Sequence, residues 1–472
     1  MEKRQGRRRV LLFGTGEYYQ VYKYFFSRVE IVALLDNDSR KQGDILDGIM
    51  IRKPEEAIHE EYDGIYLLSV YASEIRQQLL ALGVPPEKIF DRDQIYDMLQ
   101  ENLPEREMIQ LGQIEQSRCW NEGKSITVLA QDMEFYGATI ALYQAVKILK
   151  NVYSNVVVVT MRNGPMREHF SQIGVPVLLD PFLCIVTLDD ITWLKKCRLL
   201  LINTNLFWGL FRRNHTQLPI IWWLHDPELL YQGQFCEKIN ECYTNNIRVY
   251  AVGEMAAEAF QKRCPHWPRA GILKFGIEDF YQEGHKPSSH KMIFAVIGAI
   301  DPVKGQDIFV DAVCRLSDKI RMRCEFWIIG REVNERFAAK VKAQAANVPE
   351  VQFRGLLDRR AIQKAYQEID VLVCPSLEES MSIVTIEAMM NRRPNIVSDQ
   401  TGIAKFITDG ESGLIFRAGD GAALAEKMTW LAEDEEKRRS IGEKARELYE
   451  REFSPTTFEK DLRHVVDAAL TS

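Results

Sequence analysis

Glu379 and Glu387, with seven residues between them, carry the most chemical information in the chain. Val371-Leu372-Val373-Cys374 reads as a buried strand ending at Pro375, and a short loop after it carries Glu379. The pattern predicts a helix from near Ser382, with Glu387 about one turn inside it. Loops at the carboxyl ends of parallel strands are where open α/β sheets hold ligands. A helix start adds N–H groups and the positive end of the helix dipole, which suit a diphosphate. Two carboxylates beside such a site would repel phosphate, so hydroxyls are their sensible partners, one set on a sugar and one on a ribose. Taken alone, these residues are equally consistent with Glu379 as a surface loop residue and Glu387 as a first-turn helix stabiliser.

A second candidate lies near the N-terminus. Gly14-Thr15-Gly16 follows the strand-like Val10-Leu11-Leu12-Phe13, and Asp36 ends the next strand 22 residues after Gly14. That is the spacing of a dinucleotide fingerprint, with Gly14, Gly16 and Asp36 as cofactor-binding candidates. The third glycine is absent, because the following helix reads Glu17-Tyr18-Tyr19. Asp36-Asn37-Asp38 also has the form of a divalent-metal D-x-D, but aspartates at strand ends are common turn formers. No metal site is expected. Trp222, Trp223 and the Phe207-Trp208 pair would suit a sugar-stacking or membrane surface, yet in alternating β contexts aromatics belong more often to the core.

The elements that position these residues recur in three restarts, each a β-branched run, a turn and a helical pattern. The first begins at Val10, and its later strands are Glu30 to Leu35 and Gly64 to Ser69. The second begins at Ile126-Thr127-Val128-Leu129-Ala130 and the third at Met292 to Ile297, ending at Gly298. Strands alternating with helices imply parallel sheets with crossover helices. The expected division is a Rossmann-like accessory domain over 1–97, a linker of helical character over 98–123, and two α/β domains over 124–285 and 286–472. The charged C-terminal helices are assigned to the last domain, facing solvent.

Here a family resemblance enters. Pro375-Ser376 through Glu379 to Glu387-Ala388-Met389 resembles the E-x7-E signature of retaining glycosyltransferases of the GT-B fold, notably glycosyltransferase family 4. Gly298-Ala299-Ile300-Asp301-Pro302-Val303-Lys304-Gly305 resembles that family's phosphate-binding segment, and Asp409-Gly410-Glu411-Ser412-Gly413-Leu414 its late turn. Gly137-Ala138 resembles the glycine turn of its first domain, and Trp223-Leu224-His225-Asp226 also has a counterpart. The implied fold is α/β, two facing Rossmann-like domains preceded by a smaller third. The resemblance implies that Glu379 contacts the transferred sugar, Lys304 neutralises the diphosphate and Glu387 binds the ribose. Backbone N–H groups around Ser382 and Ile383 would hold the distal phosphate, with Ser380 and Met381 also in the donor-binding set, and the backbone near Arg354, Gly355 and Leu356 would face the base. Gly137 would let the first loop approach the phosphates, and His225 would lie near the sugar. Two departures stand out. Ala299 replaces a usual Arg, for which Arg331 is the substitute candidate, and Ser380-Met381-Ser382 replaces G-F-G.

Composition narrows the partners. Sixty Lys and Arg against 67 Asp and Glu give a net charge of -7, which disfavours gripping a nucleic-acid backbone. The apolar runs are strand-sized, far below the roughly 20 residues of a membrane span. Nine cysteines without a C-x-x-C pair point to neither a zinc site nor a disulfide framework. The expectation is a cytoplasmic, metal-independent hexosyltransferase needing no cofactor beyond a nucleotide-sugar co-substrate, a UDP- or GDP-sugar. Its acceptor would be a glycan, a lipid-linked sugar or a protein. Five basic residues within positions 3–9 would permit peripheral contact with the inner face of a membrane, and the accessory domain could support a homo-oligomer. The competing readings are a catalytically weak sugar-binding partner of an active transferase, and an NAD-dependent oxidoreductase run from residues 1–97.

Overall fold

A computed structural model describes residues 8–26, 29–69, 71–91, 94, 109–111, 125–153, 155–228, 231, 238–282 and 291–471. The three restarts build three sheets. In the last domain the strands lie in the order Val351–Gly355, Cys324–Ile329, Met292–Ile297, Val371–Cys374, Asn395–Ser398, Leu414–Phe416, all parallel. In chain order this is 3-2-1-4-5-6, the doubly wound arrangement, whose direction reverses between Met292–Ile297 and Val371–Cys374. The loops leaving these two strands carry Gly298 to Lys304 and Pro375 to Glu379, so the topology brings the two sequence motifs to one crevice.

The middle sheet repeats the plan. Its first parallel strand, Ser125–Ala130, lies between Val156–Thr160 and Cys197–Ile202, with Ile220–Leu224 and Ile247–Ala251 beyond. The sequence assigned 98–123 to a linker of helical character. Ile109–Leu111 is instead a strand, paired antiparallel with Val177–Leu179. An open sheet edge offers unpaired backbone groups, a tertiary demand that local polarity does not announce. The rest of that linker lies outside the described residues.

The accessory sheet, Ile45–Leu46, Ile49–Arg52, Glu30–Leu35, Arg9–Phe13, Gly64–Leu67, Ile89–Phe90, also reverses beside its first strand. It is docked on the middle domain, with Phe25 against Phe182 at 5.1 Å between ring centroids. Of the basic run, Lys3, Arg4 and Arg7 lie outside the described residues. Arg8 faces the Phe90 ring and Arg9 pairs with Glu30.

The C-terminal helices depart from their sequence assignment at one place. Helix Pro455–Leu470 leaves the last domain and packs on the middle one, with Phe458 stacked on Trp223 and Tyr153 bonded to Asp467. Its buried Phe458, Leu462, Val465 and Val466 form the apolar stripe that requires a partner surface. Trp222, Trp223 and Phe207 are fully buried core residues. No helix among the described residues is long and apolar enough to cross a membrane.

Candidate active site

Asp301 caps the turn Pro302–Lys304 by accepting the Val303 N–H at 3.0 Å. The fully buried Gln306 donates to the Ala299 carbonyl at 2.8 Å, fixing the loop from below. Gly305 adopts φ 68°, and a Cβ there would stand 2.2 Å from the Pro375 carbonyl oxygen. Only glycine permits so close an approach of the two switch-point loops. The approach delivers Lys304 Nζ to 2.6 Å from Glu379 Oε2, which also accepts from Ser376 Oγ at 3.2 Å. The Lys304 side chain is 34% exposed and that of Glu379 18%. Burial pushes the Lys304 ammonium down, but the Glu379 carboxylate outweighs it and holds its pKa above the ordinary range. Glu379 is therefore mostly buried and paired with Lys304, rather than a solvated side chain on an open loop.

Glu379 is fixed from behind as well. Its N–H donates to the Gln400 carbonyl at 3.1 Å and its carbonyl accepts from Gly402 N–H at 2.7 Å. Past it, Ser382 caps helix Ile383–Met390, taking the Thr385 N–H at 3.4 Å and the Thr385 hydroxyl at 2.8 Å. Helix geometry leaves the first-turn N–H groups of Ile383 and Val384 without intrahelical partners. Glu387, on the next turn, is 3% exposed. It receives the Tyr366 hydroxyl on Oε2 at 2.9 Å and the Arg359 guanidinium on Oε1. Burial, with Glu387 adding to it, raises the Tyr366 pKa well above its ordinary value and keeps the phenol a donor. The sequence missed Arg359 and Tyr366, because these contacts span 28 and 21 residues across a crossover helix.

The remaining donor-site candidates line the same sheet end. Ile300 N–H donates to the Arg331 carbonyl at 2.8 Å, placing the exposed Arg331 on the loop beside Ala299. Gly330 N–H donates to the Gly355 carbonyl at 2.9 Å, and the next residue, Leu356, is 72% exposed.

On the other wall, among the described residues, helix Gly137–Val152 starts without a side-chain cap, and a Cβ at Gly137 would meet nothing within 4 Å. His225 follows strand Ile220–Leu224, whose last residue pairs with Ala251. Gly253, just beyond Ala251, abuts the last domain, where a Cβ on it would lie 2.9 Å from Met381 Cε. The register thus sets His225 at the sheet end that touches the Ser380-Met381 loop. Ser380 Oγ and His225 Nε2 are both buried without a hydrogen-bond partner among the described residues, one on each wall. Gly14, Gly16 and Asp36 belong to the separate accessory sheet. There Asp36 takes the Thr15 hydroxyl and Lys41 Nζ at 3.1 Å.

Burial depresses His225 to about 3, so its imidazole is neutral, and raises Asp226 to about 6 against the N–H donors around it. These shifts oppose each other in acid. From pH 6.5 toward 3 the unfolded chain protonates its histidine before the folded one does, and stability falls. From pH 6 toward 3.8 the folded chain protonates Asp226 first, and stability rises. His225→Gln removes the first trend alone. The variant is expected to gain about 1–2 kcal/mol on the parent between pH 7.5 and pH 5 in urea melts. An unchanged difference between the two pH values would contradict the assignment.

Comparison with known proteins follows the same lines. Residues 278–448 match the family model "Glycosyl transferases group 1", and residues 6–90 match "C2185-like, N-terminal". The alpha-D-kanosaminyltransferase of Streptomyces kanamyceticus is 24% identical over 208 residues, 44% of this chain and 51% of that protein. The phosphatidyl-myo-inositol mannosyltransferase of Mycobacterium leprae is 32% identical over 136 residues, 28% of this chain and 34% of that one. This chain therefore spans about half or less of these two relatives. Among solved structures, Anabaena HepE in complex with UDP-glucose superposes with a TM-score of 0.64 at 17% identity, covering 73% of this chain and 99% of that one. The sucrose-phosphate synthase of Thermosynechococcus elongatus gives 0.60 at 18% identity, covering 74% and 99%. The architecture is GT-B, with an additional Rossmann-like domain in front.

Proposed function

We propose that the chain is a retaining, metal-independent glycosyltransferase of the family 4 type that moves a sugar from a nucleoside diphosphate to a glycan, lipid-linked or protein acceptor. The observation that carries this is the Lys304–Glu379 pair at the switch point, set between a capped helix start and a second buried glutamate. A cation and helix N–H groups suit the charge that develops on a departing diphosphate, the kind of preorganised stabilisation that needs no metal. In this reading Glu379 takes hydroxyls of the transferred sugar and Glu387 those of the ribose. The neutral His225 and the Ser380 hydroxyl offer further polar atoms on the two walls. Arg331, one loop from Ala299, serves as the second diphosphate cation. A UDP-sugar is the favoured donor, since HepE was solved with UDP-glucose. Asp36 is engaged by Thr15 and Lys41, and Phe25 packs on Phe182, so the accessory domain is assigned to packing rather than to NAD.

The test is a thermal-shift panel with UDP, GDP, ADP, CDP and NAD, each with and without magnesium. A ligand that binds only the folded chain raises the melting temperature by mass action. UDP is expected to give the largest shift, equal in both buffers. A response to NAD alone, or to none of the diphosphates, would overturn the reading.

A further inference from the structure

Glu387 is nearly sealed from solvent, yet its carboxylate is not spent. A carboxylate offers about four acceptor sites on its two oxygens. One on Oε2 takes the Tyr366 hydroxyl and one on Oε1 takes Arg359. Among the described residues no other donor reaches the carboxylate, so two sites are left, one on each oxygen, which matches the two adjacent hydroxyls of a ribose. The two internal donors come from one crossover helix, Arg359–Glu368, whose first residue is Arg359 and whose start Asp358 caps at the Ala361 N–H. Tyr366 is fully buried, whereas the Arg359 side chain is 47% exposed. The guanidinium also lies over the Phe280 ring, 4.8 Å from its centroid. Phe280 is held in turn by its N–H on Met390 Sδ, at the end of the helix that carries Glu387. Arg359 is thus clamped between an aromatic face and the carboxylate, a geometry that suits the planar guanidinium and not an ammonium.

We propose that Arg359 is a positioning residue that turns Glu387 into a reader of a vicinal diol, and so makes the site select ribonucleotides over 2′-deoxyribonucleotides. The proposal rests on the nucleotide-donor reading above. A fixed carboxylate can bridge two neighbouring hydroxyls. One free to swing by a rotamer bonds either hydroxyl about equally well, and discriminates little when one is missing. Arg359 also supplies the counter-charge that a buried carboxylate requires.

The experiment is calorimetric titration of the full chain with UDP, GDP and ADP, each beside its 2′-deoxy counterpart. It is run on the parent, Arg359→Ala and Arg359→Lys, with ligand-free melts to establish that the variants fold. The parent is expected to bind its preferred ribonucleotide about tenfold or more tighter than the deoxy form, the effect of one hydrogen bond to a charged group. In Arg359→Ala the ratio should fall below about threefold, with Arg359→Lys between the two. A parent that discriminates, beside an alanine variant that keeps the full ratio, would overturn the proposal and leave the donor reading intact. Equal binding of ribo and deoxy forms by the parent would also overturn it. Failure of the parent to bind any diphosphate would remove the donor reading first, and this proposal with it.

Discussion

Lys304→Ala is expected to lower the release of nucleoside diphosphate from a UDP-sugar by about a thousandfold or more, in a chain that still folds. Two effects act in the same direction. The first is loss of the cation facing the departing diphosphate, where removal of one preorganised donor in comparable sites costs roughly two to three powers of ten. The second is exposure of Glu379. With Nζ gone from 2.6 Å, Ser376 Oγ at 3.2 Å is the donor left on Oε2, and the carboxylate repels the incoming diphosphate. Affinity for UDP should therefore fall together with kcat. Glu379→Ala behaves differently, because it frees Lys304. It should cut turnover by about a thousandfold, leaving a measurable residual rate, while UDP binds as well as before or better. A panel of UDP- and GDP-sugars, read by diphosphate release and by calorimetry, separates the two variants. Melting temperatures should change by only a few degrees, since the Lys304 end of the pair is a third exposed. A Lys304→Ala chain that keeps more than a tenth of parental turnover would remove Lys304 from the site.

What the sequence reveals about this site depends on how local each interaction is. The strand ending at Pro375, the Ser382 cap and the glutamates follow one another within a single strand–loop–helix unit, so residue type and spacing suffice to find them. The three doubly wound sheets are equally legible, because alternating β-branched runs and helical patterns admit few topologies. Interactions that cross elements leave no such trace. Nothing in the spacing of Arg359 signals a contact with Glu387, and nothing in the charged C-terminal stretch signals that helix Pro455–Leu470 returns to the middle domain. The strand Ile109–Leu111 exists because a neighbouring edge needs backbone partners. Asp36 illustrates the converse. Its position after a strand fits a ribose contact, but Thr15 and Lys41 already occupy it.

Gly402→Ala probes whether the position of Glu379, and not only its presence, sets the rate. Gly402 packs against the Glu379-Ser380 backbone and supports the segment that carries Glu379. A Cβ there would lie 1.8 Å from the Ser380 carbonyl oxygen and 3.6 Å from that of Glu379. The clash is with backbone, so it is relieved only by moving the Glu379-Ser380 segment about 1 Å or more off Gly402 and weakening the 2.7 Å bond between Gly402 N–H and the Glu379 carbonyl. Overpacking of this kind costs about 1–3 kcal/mol of stability. A displacement of about 1 Å at a reacting group costs on the order of a hundredfold in rate. The expected result is a drop in kcat of that size, larger than any loss of UDP affinity caused by the displaced Ser380 backbone. The helix start at Ile383 and Glu387 on its next turn hang on Ser382, Tyr366 and Arg359 rather than on Gly402. A double variant decides the route. If Gly402→Ala acts by displacing Glu379, adding it to Glu379→Ala should cost little more, because neighbouring sites that act through one group are not additive. If the two losses multiply, Gly402 acts elsewhere and Glu379 does not depend on the wall behind it.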